Sequence, residues 1–431
     1  MKKVNIGLIG FGNIGSGVVK ILRDKKSLLS EKTGLNLNIK KICDQDITSK
    51  RNVSVDKELL TRNPKEIIDD PQIDILVELI GGVHPAREFI SEALKKGKNI
   101  VTANKALLAL HGQELFSEAM DKGKNIYFEA SVGAGIPIIK SLREGLVANK
   151  FHSILGILNG TSNYILSSMS KNGKTFNEAL KEAKEKGFAE NDPTLDIEGM
   201  DSAHKLILLT YLAFGRLVSI KDVFVEGITH ISLADVNYAK ELGFEIKLLA
   251  IAQREGDSLE VRVHPTLVPE DHLLASVDSM FNAIYVEGDL AGDLLFYGPG
   301  AGQLSAASAV VSDIVDLTQE IKAGLFRPMM NIVPDKSVKD LRKIDDSSSR
   351  YYIRFTALDK PGVLARISGI LAKFGISIAS VTQKEKSKAQ LVPIVMLIHE
   401  AKEKDLRNAL NMINRIDAIK EKTIAIRLEE V

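Results

Sequence analysis

The first third of the chain alternates short apolar runs with longer segments of helical periodicity. Residues 4–9 are rich in branched apolar side chains without strict polar alternation, which is typical of a parallel strand buried on both faces. Similar runs predict strands over 37–43, 73–80, 99–102 and 126–129, with helices over 85–96 and 105–122 between them. This alternation predicts an α/β fold with a doubly wound parallel sheet.

After about residue 130 the pattern becomes that of a mixed α+β domain. It predicts strands over 151–159, 247–253, 258–263 and 282–287, and helices over 177–186 and 201–214. The turn residues at 254–257 predict a hairpin between the second and third of these strands. A long apolar pattern over 303–323 predicts one helix that returns to pack on the first domain.

The last part of the chain predicts a separate unit. Residues 324–348 combine prolines, charges and serines, a composition that suits a linker. Strands then follow over 351–357, 376–383, 390–399 and 423–428, with helices over 363–374 and 403–414. The order βαββαβ is that of a ferredoxin-like domain.

Length and charge limit the function classes. With 431 residues, the chain is long enough for two to three domains. Its 57 Lys and Arg against 56 Asp and Glu leave a net charge of +1, which argues against a dedicated nucleic-acid binder. The one cysteine, Cys43, cannot form an internal disulfide and fits a reducing compartment.

One uncharged stretch, 294–312, is long enough to be considered as a membrane span. Its glycines, serines and proline favour a glycine-rich loop that runs into a buried helix. We therefore expect a soluble, cytoplasmic protein without a membrane segment.

A glycine motif directly follows the first predicted strand and opens the first helix. Its residues are Gly10, Phe11, Gly12, Asn13, Ile14 and Gly15. In this context the first glycine makes the turn, the second admits a pyrophosphate and the third allows the helix to approach the strand. The motif predicts a Rossmann-type dinucleotide site, with the phosphates at the helix N-terminus.

The identity of the dinucleotide stays open at this point. Asp44 follows the second strand, where a carboxylate can accept hydrogen bonds from the ribose 2′-OH of NAD. Lys50 and Arg51 lie just beyond and are equally suited to pair with the 2′-phosphate of NADP. All three are also compatible with a solvated loop.

Two further segments combine charge with an unusual position. Thr102-Ala103-Asn104-Lys105 places a lysine at a helix start, where the helix dipole favours an anion, so a bound cofactor or substrate anion is expected there. Between Glu190 and Asp201 the chain carries five carboxylates, and Lys205 lies one helical turn after Asp201. Carboxylates can hold a substrate ammonium, and a partly buried lysine can transfer a proton near neutrality. A solvated loop followed by an ordinary ion pair is the alternative.

Taken together, these motifs and their order resemble homoserine dehydrogenase. The resemblance extends from residue 3 to about 323, and the C-terminal unit resembles the ACT regulatory domain of single-function members. No aspartokinase-like segment precedes it, so the monofunctional form is expected. The further segments that carry the resemblance are Phe128-Glu129-Ala130-Ser131-Val132-Gly133-Ala134-Gly135-Ile136-Pro137, Asn159-Gly160-Thr161-Ser162-Asn163-Tyr164 and Tyr297-Gly298-Pro299-Gly300-Ala301-Gly302.

The resemblance implies reversible, nicotinamide-dependent reduction of L-aspartate 4-semialdehyde to L-homoserine. Lys205 then matches the proton donor to the carbonyl oxygen, and Lys105 a residue near nicotinamide and substrate. Glu190 and Asp201 match residues that hold the substrate amino group, with support from Asp196 and a backbone contact from Gly187. Thr102 and Gly302 match cofactor contacts.

The resemblance also implies a cation and a regulatory ligand. Glu129, Val132, Ala134 and Ile136 match a monovalent cation site built largely of carbonyl oxygens, usually for sodium. The turn Asp359-Lys360-Pro361-Gly362 in the ACT unit offers backbone groups to an amino-acid effector, with threonine suggested by the pathway. A packing unit without a ligand is the alternative. A homodimer or homotetramer is expected.

The implied domains are a dinucleotide-binding domain over 1–130 plus 303–323, a substrate-binding and dimerisation domain over 131–302, a linker over 324–348 and an ACT domain over 349–431. Members that use NADP often have an arginine at the end of the second strand, where this chain has Asp44-Gln45-Asp46. We therefore expect use of NAD, or of both NAD and NADP. Two alternatives are an aspartate dehydrogenase-like Rossmann enzyme and an amino-acid sensor on a dehydrogenase scaffold.

Overall fold

The computed structural model describes residues 3–329, 338–383 and 391–429. These residues group into two compact units. The first unit contains residues 3–154, 204–220 and 282–329, and the second contains 155–203, 221–281, 338–383 and 391–429. The chain therefore passes between the units several times.

The N-terminal segment builds a parallel sheet in the first unit. Its strands are β1 (Lys3–Ile9), β2 (Asn36–Cys43), β3 (Leu60–Thr61), β4 (Ile75–Glu78), β5 (Asn99–Thr102) and β6 (Ile126–Tyr127), and its helices are α1 (Asn13–Asp24), α2 (Lys26–Thr33), α3 (Lys65–Ile68), α4 (Ala86–Lys95), α5 (Lys105–Asp121) and α6 (Ile138–Lys140). The strand order is β3-β2-β1-β4-β5-β6, with every pairing parallel. This order confirms the predicted Rossmann-type sheet. Successive strands are added on one side of β1 up to β3 and on its other side from β4 onwards, so the switch point of the topology, where folds of this type bind dinucleotides, lies between β1 and β4.

The middle of the chain contributes to both units. Its elements are β7 (Phe151–Ile157), α7 (Gly160–Asn172), α8 (Phe176–Glu185), α9 (Thr194–Ile197), α10 (Met200–Phe214), β8 (Phe224–Val225), α11 (Leu233–Glu241), β9 (Phe244–Glu255), β10 (Ser258–Pro269), β11 (Phe281–Gly288), β12 (Gly292–Pro299) and α12 (Gln303–Ala323). Strands β9 and β10 form the predicted antiparallel hairpin, paired from Glu255 with Ser258 to Phe244 with Pro269. The hairpin is therefore confirmed and is longer than predicted.

Helix α12 completes the first unit by packing on α1. Gln303 donates a side-chain hydrogen bond to the Ser16 hydroxyl at 3.0 Å. A Cβ atom at Gly17 would lie 3.0 Å from the Cβ of Ala307, so the two helices approach closely at this glycine. Residues 303–323 thus return to pack on α1, as the sequence predicted.

The C-terminal segment forms the predicted βαββαβ unit. Its six elements are β14 (Ser348–Leu358), α13 (Val363–Lys373), β15 (Ile378–Gln383), β16 (Leu391–Lys402), α14 (Glu403–Ile413) and β17 (Ile424–Leu428), and the short strand β13 (Asp340–Leu341) before them pairs with β10. The strand order β17-β14-β16-β15 encloses an apolar core that includes Ile353, Phe355, Ile367 and Met396. Strand β17 also pairs in parallel with β10, Thr266 opposite Arg427, so this sheet continues into the central hairpin.

Several local predictions differ from the structure. Residues 294–299, expected as part of a glycine-rich loop, belong instead to strand β12, which contains Gly292 and Gly298. The strand expected over 126–129 ends at Tyr127, and Glu129 begins a short 3-10 turn. Helix α7 was missed altogether. Of the predicted linker, 330–337 lie outside the described residues, as does Gln390 of a predicted strand. Within the described part of the chain, none of the helices has the length and apolarity needed to cross a bilayer.

Candidate active site

The glycine motif forms the turn between β1 and α1. Gly10 has φ +102°, and a Cβ atom there would lie 2.5 Å from the carbonyl carbon of Leu79. A Cβ atom at Gly15 would lie 2.0 Å from the Gly10 carbonyl oxygen. A Cβ atom at Gly12, in contrast, would meet no protein atom within 4 Å. Gly10 and Gly15 are thus required by the fold, whereas Gly12 keeps open the space in front of the α1 N-terminus, where a pyrophosphate fits.

A cavity of about 460 Å³ opens beside this turn, at the carboxyl ends of β1, β2 and β4. Gly10, Gly12 and Asp44 line it, together with Arg62 and Ile80. The Asp44 carboxylate accepts hydrogen bonds from the Phe11 amide at 2.5 Å and the Asp46 amide at 2.8 Å. The size, place and lining of this cavity fit the adenosine half of a dinucleotide.

Arg51 lies beside Asp44 at the same edge. Its guanidinium carbon is 4.7 Å from the centre of the Phe11 ring, and its Nε donates to the Phe11 carbonyl oxygen at 2.5 Å. A terminal guanidinium nitrogen lies 3.7 Å from the Asp44 carboxylate. The other two Arg51 nitrogens donate to the carbonyl oxygens of Ser49 and Asp46. The end of β2 therefore carries a carboxylate and a guanidinium side by side.

The Thr102–Lys105 segment is held by a buried carboxylate that sequence reasoning missed. Glu78, at the end of β4, accepts hydrogen bonds from the Thr102 hydroxyl at 2.6 Å and the Ile80 amide at 2.8 Å. Burial raises the pKa of Glu78 above its usual value. Asn104 caps α5 by accepting from the Leu107 amide. Half-buried Lys105 thereby begins the helix at the carboxyl edge of the sheet, as predicted.

The N-terminus of α12 reaches the cofactor helix. Gly302 immediately precedes α12 with φ +133°, a conformation that favours glycine. The next residue, Gln303, contacts Ser16 on α1. Gly302 is therefore the neighbour of a residue that contacts α1. Neither Ser16 nor Gln303 belongs to a sequence motif that could have predicted this contact.

Glu129 is a buried carboxylate held by backbone amides. Its two carboxylate oxygens accept from the Ile139 amide at 2.9 Å and the Lys140 amide at 2.8 Å. Its own amide donates to Asp313 on α12 at 2.9 Å. Burial raises the pKa of Glu129 to about 7. Asp313, which sequence reasoning missed, is equally buried, and its pKa is raised well above the usual range.

The residues after Glu129 form a tight backbone turn. Gly133 has φ +69° and Ala134 has φ +52°, an uncommon conformation for a residue with a side chain. In the described part of the chain, no three His, Cys, Asp or Glu side chains come together as a metal cluster. The sequence-predicted cation residues Val132, Ala134 and Ile136 belong to this turn, and their backbone carbonyl oxygens are donors of the kind that hard cations prefer.

The acidic segment of the second unit is organised by Asn159, which sequence reasoning did not assign a role. The Asn159 amide nitrogen donates to Asp196 at 2.7 Å and to Asp201 at 2.8 Å. Its carbonyl oxygen accepts from the Ser162 amide and so caps α7. One side chain thereby fixes the distance between two of the predicted substrate-binding carboxylates.

The other residues predicted for the substrate site lie after α8 and on α10. Gly187 follows α8 with φ +72°, and exposed Glu190 lies between α8 and α9. The Thr161 hydroxyl donates to the Phe188 carbonyl oxygen at 2.7 Å and ties this stretch to α7. Lys205 lies on α10, one turn after Asp201, and both side chains are buried.

Three family models match the chain. They are described as homoserine dehydrogenase, over residues 137–315, the NAD-binding domain of homoserine dehydrogenase, over 10–129, and the ACT domain, over 351–418. Together they cover both the dinucleotide site and the acidic segment.

Full-length relatives carry the same description. A homoserine dehydrogenase from Neisseria gonorrhoeae is 41% identical over 434 residues, covering 100% of both chains. The crystal structure of a homoserine dehydrogenase from Thiobacillus denitrificans is 43% identical, with a TM-score of 0.92 over 100% of this chain and 99% of that one. A hyperthermophilic archaeal homoserine dehydrogenase, solved in complex with NADPH, is 29% identical, with a TM-score of 0.64 over 76% of this chain and 100% of its own.

Proposed function

This chain belongs to the homoserine dehydrogenase family, and we propose how its own residues divide the family's reaction. The enzyme is an NAD(P)-dependent oxidoreductase that interconverts L-aspartate 4-semialdehyde and L-homoserine, a step towards threonine, methionine and isoleucine. The proposal for the substrate site is carried by one observation, the pair Asp196 and Asp201 bound to Asn159. Two fixed carboxylates suit a substrate that bears an ammonium group.

Lys205 is the proton donor in this proposal. When bound, the nicotinamide supplies hydride to the carbonyl carbon, which leaves negative charge on the carbonyl oxygen. An ammonium group within hydrogen-bond distance stabilises that charge and gives its proton to the oxygen, forming the hydroxyl of homoserine. In the oxidative direction the lysine amine takes the proton back. Burial of Lys205 supports this role, because the attraction between its ammonium and the negative carbonyl oxygen is stronger where little water is present.

Glu190, Asp201 and Asp196 hold the substrate amino group, and Gly187 contributes a backbone contact. The support for Asp201 and Asp196 is their common hydrogen-bond partner. The support for Glu190 and Gly187 is the family pattern alone. Lys105, at the start of α5, is assigned to the substrate and nicotinamide end of the cofactor site, where it balances negative charge.

For the cofactor, we infer use of both NAD and NADP. The Gly10–Gly15 turn, Thr102 and Gly302 serve either dinucleotide. Asp44 suits the ribose hydroxyls of NAD, and Arg51, beside it, suits the 2′-phosphate of NADP. Sodium is assigned to Glu129 and the carbonyls of Val132, Ala134 and Ile136, on the basis of the turn at Gly133 and Ala134.

The proposed domains remain 1–130 with 303–323 for the dinucleotide, 131–302 for substrate and dimerisation, 324–348 as linker and 349–431 as ACT domain. The packing of α12 on α1 supports the split first domain. A homodimer or homotetramer, with threonine as effector of the ACT domain, completes the proposal. Light scattering and a threonine titration of the full chain test these two points.

One assay tests the reaction and the cofactor together. Oxidation of L-homoserine is followed at the nicotinamide absorbance with NAD and with NADP, and L-aspartate serves as the control substrate. We expect turnover of homoserine with both cofactors and none of aspartate. Turnover with only one cofactor would contradict dual use, and turnover of aspartate would contradict the substrate assignment.

A further inference from the structure

Strand β4 ends in a charged side chain although the rest of the strand is apolar. Ile75, Leu76 and Val77 are fully buried, and so is Glu78, which follows them. A buried carboxylate costs free energy unless hydrogen bonds replace its water, and an apolar side chain would end the strand without that cost. The partners of Glu78 therefore have to explain why a carboxylate stands at this position.

Glu78 accepts hydrogen bonds from two segments at the carboxyl edge of the parallel sheet. The segment after β4, residues 79–82, is here called the β4 loop. It supplies the Ile80 amide at 2.8 Å and the Gly81 amide at 3.4 Å, both to one carboxylate oxygen. The hydroxyl of Thr102, at the end of β5, donates to the other oxygen at 2.6 Å. One carboxylate thus joins the β4 loop to the end of β5.

Asn104 makes a second link between the same two segments. Its side-chain nitrogen donates to the Gly82 carbonyl oxygen at 2.6 Å, and its side-chain oxygen caps α5 by accepting from the Leu107 amide at 3.1 Å. Its backbone amide donates to the Thr102 hydroxyl at 3.0 Å, the same hydroxyl that Glu78 holds. The first turn of α5 is therefore attached to the β4 loop.

The two joined segments serve different parts of the proposed site. Leu79, Ile80 and Gly81 line the cavity of about 460 Å³ that fits the adenosine half of the cofactor. Lys105, the first residue of α5, is assigned to the nicotinamide and the substrate. The junction at Glu78 therefore connects the wall of the cofactor cavity with Lys105.

We propose that Glu78 is a positioning residue for the reaction, which fixes Lys105 relative to the cofactor cavity by joining the β4 loop to the start of α5. A displacement of about 1 Å at a group that contacts the reactants can cost about 10²-fold in rate, so a support that costs stability is useful here. The inference rests on the proposed role of Lys105, and the experiments below separate the two.

Glu78→Gln tests the junction with little change in volume. The amide keeps one acceptor oxygen but turns an NH2 group towards partners that are themselves donors. At saturating cofactor we expect kcat/KM for L-homoserine to fall at least about tenfold. NADPH affinity, measured by fluorescence titration, should fall about threefold or more, because the β4 loop lines the cofactor cavity. Wild-type values of both quantities would overturn the proposal.

Asn99→Val is the matched control. Asn99 is also buried and lies at the opposite end of β5, where its side-chain oxygen accepts from the Asn125 amide at 3.0 Å. Both variants lose a hydrogen bond of a buried side chain, so we expect both to lower Tm. Asn99→Val should keep the wild-type kcat/KM and NADPH affinity well below its Tm. Equal kinetic losses in the two variants would show that Glu78 only stabilises the sheet.

A double-mutant cycle with Lys105→Ala tests the route of the effect. If Glu78 acts on homoserine through Lys105, Glu78→Gln should lower kcat/KM for homoserine by less than about threefold when Lys105 is already absent. The loss in NADPH affinity should persist in that background, because it depends on the β4 loop. Independent, multiplicative losses in kcat/KM would refute the route through Lys105.

A second variant keeps the test available if Glu78→Gln does not fold. Asn104→Asp retains an acceptor for the α5 cap but loses the donor to the Gly82 carbonyl oxygen, and we expect the same results from it in the same cycle. Wild-type turnover by Lys105→Ala would contradict the proposed function of Lys105. Wild-type turnover by Glu78→Gln beside an impaired Lys105→Ala would contradict the role of Glu78 alone.

Discussion

Asn159 and Asp201 are joined by a hydrogen bond of 2.8 Å between the amide nitrogen and a carboxylate oxygen, across 42 positions of sequence. The same nitrogen reaches Asp196, so the asparagine sets the spacing of both carboxylates. Since like charges repel, this shared donor stabilises the pair. In the proposed substrate site, Asn159 is thus the residue that positions the two carboxylates.

Asn159→Asp tests this positioning role. Aspartate retains an acceptor for the α7 cap but removes the donor and adds a third negative charge. We expect KM for L-homoserine to rise at least about tenfold, with partial recovery at lower pH and little change in NADPH affinity. Steady-state kinetics across pH and fluorescence titration of NADPH check this. A purely structural residue would lower Tm and leave KM unchanged.

Lys205→Ala removes the proposed proton donor. We expect kcat to fall by about 10²–10⁴, the range for loss of a general acid. NADPH affinity, measured by titration, should stay within about twofold, because the lysine is assigned to the substrate oxygen rather than to the dinucleotide. Lys122→Ala, at the exposed C-terminal end of α5, is the control and should keep the wild-type kcat and NADPH affinity. Wild-type turnover by Lys205→Ala would refute the assignment.

Gly12→Ala and Gly15→Ala separate cofactor space from fold space. A methyl group at Gly12 meets no protein atom, whereas one at Gly15 meets the Gly10 carbonyl oxygen at 2.0 Å. We expect Gly12→Ala to keep its Tm and to lose at least about tenfold in NADPH affinity. Gly15→Ala should lower Tm by roughly 5–10 °C. Scanning calorimetry without cofactor distinguishes the two, and equal Tm losses would contradict the open space at Gly12.

Arg51→Gln and Asp44→Asn test which residue serves NADP and which serves NAD. The guanidinium is suited to a 2′-phosphate and the carboxylate to ribose hydroxyls. We expect Arg51→Gln to lower kcat/KM for NADP about tenfold and to leave kcat/KM for NAD unchanged. We expect Asp44→Asn to lower kcat/KM for NAD. Kinetics with both cofactors provide the comparison for each variant. A parallel loss for both cofactors in Arg51→Gln would mean that the residue only supports Phe11.

His264 makes stability depend on pH. Complete burial, with Arg427 and Arg262 nearby, lowers the pKa of this histidine well below 6.5. The unfolded chain therefore binds a proton below about pH 6.5 that the folded chain does not, so this residue costs stability as the pH falls. His264→Met removes that cost.

Denaturant unfolding between pH 5 and 7.5 checks the prediction for His264. The free energy of unfolding of the wild type should decline towards pH 5 more steeply than that of His264→Met, because all other groups are common to both proteins. Parallel curves would show that His264 is protonated in the folded protein.

The elements predicted from sequence are those with a local signal. Helix α12, predicted over 303–323, has those bounds, because its apolar periodicity ends at Gly324. Helix α7 was missed because it is buried on all sides over 161–169, and polar residues such as Thr161, Ser162 and Asn163 are buried along with apolar ones, so no apolar stripe alternates with a polar face. Strand β12 was missed because its glycines are typical of a loop.

The candidate site shows the same limit. The Gly10–Gly15 turn is contiguous, so its chemistry could be predicted from spacing. The roles of Glu78 and Asp313 depend on burial against segments 24 and 184 positions away, and no spacing rule connects them. Asn159 lay in a recognised motif, yet its partners are set by the tertiary fold.

The contact between Ser16 and Gln303 spans 287 positions. During synthesis α1 therefore leaves the ribosome long before α12 does, and at roughly 5–20 residues per second the delay is about 15–60 s. Throughout that interval the surface of α1 around Gly17 has no helix to cover it. The parallel sheet therefore stays without the cover of α12 until the whole segment between β6 and α12 has been translated.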